Sequence, residues 1–157
     1  MGSQQSTRRR ARILAVQALY SMEMGEATPT PVRMAQRLRA KGEVEADASE
    51  EVAYAEELVA AVQHRRAEID RRIGTAGTRW RVDRMAALDV QVLRVAVAEL
   101  LAGRSDVPPP VAIDEAVEIA RDFGGDESPG FVNGILDAIA RSLETSPRSV
   151  GLGRDEG

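Results

Sequence analysis

The chain has 157 residues, a formal net charge of −4 and no cysteine. That bounds it to one domain, excludes a disulfide framework or a thiolate nucleophile or metal site, and argues against a general nucleic-acid coat. Hydrophobic residues make up 43% and aromatic residues only 3%, so the core is read as Leu, Ile, Val and Ala packed helix on helix.

The first element is an amphipathic helix over residues 6–21, with Ser6 or Thr7 as its N-cap and residues 1–7 as a flexible lead-in. It opens with Arg8, Arg9, Arg10 and Arg12 and then turns apolar, with Ile13, Val16, Leu19 and Tyr20 on one core-facing side. Arginines crowded at a helix N-terminus repel one another and the positive end of the helix dipole. A polyanion outside the fold is the expected compensation; a merely solvated tail is the competing reading. Because the whole chain is acidic, any RNA contact must be local, the pattern of a protein that binds a defined short site.

Gly25 is a natural helix end, and Pro31 starts a modest helix from Val32 to about Ala40. An acidic loop follows. Val52, Ala55, Val59, Val62, Arg66, Ile69 and Ile73 then recur three and four apart, which predicts one long helix from Ser49, closed by Gly74 and Gly77. Trp80 anchors a linker. The segment from Met85 to Leu101 is apolar nearly all round, interrupted only by Asp89, Gln91, Arg94 and Glu99, and is read as the central helix. A loop from Gly103 to Pro110, a helix from Ile113 to Phe123, and a last helix opened by Ser128-Pro129 complete the domain, taken as residues 8–144 with a disordered tail over 145–157. The fold class is all-α, with about six to seven helices.

No catalytic constellation emerges. His64 is the sole histidine and sits in a charged helical segment, so a triad or a helical di-metal site lacks its partners. Glycine-rich phosphate loops are missing, no cofactor is expected, and the chain is read as a binding protein rather than an enzyme. No apolar run reaches the roughly 20 residues of a membrane span and no secretory pattern is present, so a cytoplasmic location is expected. Gly130 and Gly134, four apart in the last helix, suggest close packing of a second helix, with ligand approach as the alternative. Phe131 beside them suits either the core or a stacking platform for a base.

Four blocks together resemble the NusB family of bacterial transcription antitermination factors. They are Arg8-Arg9-Arg10-Ala11-Arg12 with Ala15-Val16-Gln17-Ala18-Leu19-Tyr20, then Leu93 to Leu100, then Asp106 to Ala116, and finally Phe131-Val132-Asn133-Gly134-Ile135-Leu136-Asp137. They come in the family's order and span nearly the whole domain. The resemblance implies two packed three-helix subdomains without enzymatic activity. It also implies binding to single-stranded boxA RNA of ribosomal RNA operons together with NusE, a small-subunit ribosomal protein, in an RNA polymerase antitermination complex. By position, Arg8, Arg9, Arg10, Arg12 and Phe131 would face RNA, with Glu127 at the edge of that site, and Tyr20 and Asp89 would face NusE. A homodimer through the basic surface is implied by some relatives. Pro109-Pro110 and Pro129-Gly130 depart from the family's commoner residues. Two other readings remain at this point: the NusB-like domain of a ribosomal RNA methyltransferase, and a helical interaction module that binds no RNA.

Overall fold

A computed structural model describes residues 2–25 (side chains from Ser6), 40–41, 49–77 and 84–145. These hold six helices: α1 (Gly2–Glu23), α2 (Ser49–His64), α3 (Arg66–Ala76), α4 (Ala87–Ala102), α5 (Pro109–Phe123) and α6 (Ser128–Glu144). The fold is all-α. The helix expected from Val32 to Ala40, except for Ala40 itself, and the Trp80 linker lie outside the described residues.

α4 is the axis of the domain. Every residue from Asp89 to Leu100 is buried, and α1, α2, α3, α5 and α6 all pack against it. α5 and α6 complete a triad with α4, while α1 pairs with α2 and both pack on α4. Arg12 of α1 meets Glu99 of α4 and Glu23 meets Arg94, so α1 runs antiparallel to α4. Leu14, Val62, Ile69, Ile73, Leu93, Val97, Val132 and Leu136 fill the centre with almost no residual exposure. Burial of a Leu- or Ile-sized side chain stabilises by about 2 kcal/mol relative to exposure, which explains how so aromatic-poor a chain holds together.

Several sequence expectations are corrected. α1 begins at Gly2, so Ser6 and Thr7 lie inside the helix rather than at its N-cap, and residues 2–7 are helical rather than a loose lead-in. The arginines therefore sit in its second and third turns, where the dipole has largely faded. Tyr20 is exposed rather than packed in the core. The long helix from Ser49 is broken once, at Arg65 (φ −114°, ψ 26°), although the hydrogen bonds Arg65 N to Ala61 O and Ile69 N to Arg65 O bridge the break. Gly74 lies within α3; Gly77 ends it. Pro109 and Pro110, expected in a loop, form the first turn of α5, where a missing N–H costs nothing. Gly130 and Gly134 are not a packing seam, since a Cβ built at either meets no atom within 4 Å.

Buried charges inside the fold are matched by partners, although Gln17 Oε1, Asp89 Oδ1 and Gln91 Oε1 accept no hydrogen bond among the described residues. Arg94 donates from Nε and Nη2 to both Asp70 oxygens at 2.8 and 2.9 Å, and from Nη1 to Glu23 at 3.1 Å. Such a buried cation is tolerable only when its charge is matched at this quality of geometry.

Candidate nucleic-acid interface

α1 packs on α2 and α4 and buries Leu14, Ala15, Val16 and Ala18 in the core, so its arginine turns are fixed in place rather than trailing in solvent. Each of the four guanidiniums meets a carboxylate from a distant part of the chain. Arg8 Nη2 is 2.8 Å from Asp106 Oδ2 in the α4–α5 loop. Arg9 donates through Nε and Nη2 to the two oxygens of Glu115 on α5, at 2.8 and 2.9 Å. Arg10 reaches Glu51 Oε2 on α2 at 2.9 Å, and Arg12 Nε donates to both oxygens of Glu99 on α4 at 2.9 and 3.0 Å. The repulsion inferred from sequence is thus relieved internally.

The four are not equivalent. The Arg9 and Arg10 side chains are 42% and 37% exposed, that of Arg8 18%, and that of Arg12 only 4%. Arg12 is a core cation: a phosphate cannot reach it without opening the α1–α4 contact. The surface that α1 offers a polyanion consists of Arg9, Arg10 and the edge of Arg8.

Two residues that sequence reasoning did not single out join this surface. The Tyr54 ring on α2 lies under three guanidinium carbons, those of Arg8 at 5.2 Å, Arg104 at 5.6 Å and Arg12 at 5.9 Å. Cation–π contacts at such distances hold guanidiniums over a ring face. The Tyr54 hydroxyl donates to Glu99 Oε2. Burial, reinforced by that hydrogen bond, raises the Tyr54 pKa well above its usual value, so the phenol stays a neutral donor. Arg104 also shares Asp106 with Arg8, and the hydrogen bonds from these two arginines pull the Asp106 carboxyl down to about 2. The hydrogen bond from Arg9 likewise lowers the Glu115 pKa, against the opposing effect of burial. Both carboxylates are therefore charged at neutral pH.

The remaining predicted site residues lie elsewhere. Asp89 and Glu99 are ten positions apart on α4, about 15 Å along its axis. The arginines gather at the Glu99 end. At the Asp89 end, Arg84, Met85, Asp89, Glu127, Ser128 and Phe131 line an open groove of about 430 Å³. Phe131 is half-buried with its inner side against the core, and Glu127 is exposed. Asp89 is buried and accepts at 3.0 Å from Ser128 Oγ, which itself accepts from Gly125 N at 3.0 Å. Of the two positions expected to face a protein partner, only Tyr20 is displayed on the surface. A ligand touching both the arginines and Phe131 must span the length of the bundle, as an extended strand of several nucleotides does.

His64 ends α2 and is exposed. No helix among the described residues is long and apolar enough to cross a membrane.

The NusB family model matches residues 9–141. A transcription antitermination protein NusB from Geotalea uraniireducens is 45% identical over 141 residues, covering 88% of this chain and 97% of that protein. The solved structure of T. maritima NusB superposes with a TM-score of 0.66 at 34% identity, covering 85% of this chain and 90% of that one. A structure of antitermination factors NusB and NusE in complex with dsRNA contains a chain of the same fold, with a TM-score of 0.68 at 24% identity and coverage of 87% and 98%.

Proposed function

The chain belongs to the NusB family, and from that premise we propose that it is a transcription antitermination factor. In this reading it binds boxA RNA of ribosomal RNA operons together with NusE and assists read-through by RNA polymerase in the cytoplasm. It performs no chemistry of its own: the role is to hold RNA and protein partners in register.

The observation that carries the RNA part is the placement of Arg8 and Arg9 in neighbouring positions of one helix of an otherwise acidic molecule, Arg9 well exposed and Arg8 reaching solvent at its edge. Guanidiniums positioned this way take phosphate oxygens, while bases are read by stacking and edge contacts on an aromatic ring. Phe131, with Glu127 at its edge, supplies such a ring in the groove at the other end of α4. Tyr20, which is exposed, is the residue offered to NusE; Asp89 matches a partner-facing position of the family but is buried here. This protein-partner role is supported by the family resemblance and by the fold shared with the NusB chain of the NusB–NusE complex.

The test is titration of a labelled boxA-type RNA against a scrambled control, with and without purified NusE. Preference for boxA that sharpens on adding NusE is the expected result. No binding in either condition contradicts the RNA reading and leaves a helical interaction module.

A further inference from the structure

Asp106 and Glu115 each stand between two guanidiniums. Glu115 Oε1 lies 2.8 Å from Arg9 Nε and 3.7 Å from Arg12 Nη1. Asp106 Oδ2 lies 2.8 Å from Arg8 Nη2 and 3.1 Å from Arg104 Nη2. In both cases one guanidinium belongs to the accessible part of the basic run, and the second is a neighbour that stays when the first leaves. Arg12 is anchored by Glu99 in the core, and Arg104 stacks on Tyr54.

Arg10 differs. Its Nε and Nη2 hold Glu51 Oε2 at 3.0 and 2.9 Å, Glu51 is buried, and no second cation pairs with it among the described residues. Pulling Arg10 away strands a buried charge, the costly way to break an ion pair. The run therefore divides into two releasable arginines and two fixed ones.

A guanidinium presents the same fork to a carboxylate and to a phosphodiester. We infer that Asp106 and Glu115 occupy, in the RNA-free protein, the places that RNA phosphates take on binding, and that within the basic run only Arg8 and Arg9 are handed over. The inference rests on the RNA-binding reading and adds to it which arginines meet phosphate and what they leave. Each carboxylate keeps a cation after the exchange, so the exchange unfolds nothing. The competition is equal for every RNA that uses these arginines. It lowers affinity throughout without altering preference, and so holds back binding by RNAs that offer a backbone and no base contacts.

Glu115→Gln and Asp106→Asn provide the test, with boxA-type and scrambled RNA as probes and far-UV circular dichroism as the check on folding. Each substitution removes a competing charge and is expected to tighten both RNAs by up to about fivefold, the scale of a partly exposed ion pair, with their ratio unchanged. Asp106 lies on an exposed loop, so its variant stands even where Glu115→Gln perturbs α5. In the salt dependence, Arg8→Gln and Arg9→Gln should each flatten the log–log slope by about 0.7, and Arg10→Gln should leave it unchanged. Unaltered or weaker binding by both carboxylate variants would overturn the inference while leaving RNA binding intact. A slope that flattens equally for Arg10→Gln would overturn the division of the run. Failure of the unaltered chain to bind either RNA would overturn both the inference and the reading beneath it.

Discussion

Arg12 and Glu99 form an ion pair inside the molecule, with Nε within 3.0 Å of both carboxylate oxygens and side chains 4% and 3% exposed. The pair ties α1 to α4, and the Tyr54 hydroxyl brings α2 into the same knot. Removing one partner leaves the other charged and dry. Glu99→Gln is expected to lower unfolding free energy by about 3 kcal/mol, read from chemical denaturation. The double change Arg12→Met with Glu99→Leu should cost clearly less than the sum of the single changes. Additive losses would show that the two charges are not coupled.

Gly124 and Gly134 should respond in opposite directions to alanine. A Cβ at Gly124 falls 2.6 Å from Ser128 Oγ and 2.8 Å from the Ala120 carbonyl oxygen. Ser128 is fixed in turn by its bond to Asp89, so neither neighbour yields freely. Gly124→Ala should destabilise by about 1–3 kcal/mol through overpacking. Gly134→Ala enters open space in a helix interior and should stabilise by up to about 1 kcal/mol. Thermal melting of the two variants distinguishes these effects from a uniform intolerance of change.

Much of this architecture is legible in the sequence. The near-continuous apolar run from Met85 to Leu101 marks α4 as the central helix, and the glycines at 25, 103 and 124 mark helix ends, because periodicity and breakers are local signals. The acids opposite the arginines are not local. Glu115 lies 106 residues from Arg9, Asp106 lies 98 from Arg8, and Glu99 lies 87 from Arg12. Nothing in the spacing of either partner signals a meeting that only packing α1 between α2 and α4 creates. For the same reason nothing in the sequence singles out Tyr54, and Arg12 is expected to face RNA with its three neighbours. The family blocks locate the basic run but not its internal neutralisation.

The acid limb of stability should carry the mark of Asp106. Its carboxyl is pulled from 3.8 to about 2 by Arg8 and Arg104. A depressed folded-state value means the stabilisation is complete above about pH 4 and is lost as pH falls towards 2. Asp106→Asn should therefore flatten the fall in melting temperature across that window while leaving its slope between pH 5 and 7 as it was (roughly, since other carboxylates titrate little there). An unchanged acid limb would mean that these arginines do not hold Asp106 in solution.

The central claim is that RNA is gripped through the accessible turns of α1. The direct measurement is the dissociation constant for boxA-type RNA of the Arg8→Ala/Arg9→Ala double variant beside the unaltered chain, at one fixed salt concentration. Arg9 is exposed and Arg8 partly so, on a helix anchored by its apolar face, so helix content should be unchanged. The account predicts binding at least about tenfold weaker, the loss expected of two charge-assisted phosphate contacts. Equal dissociation constants for the two proteins would contradict it.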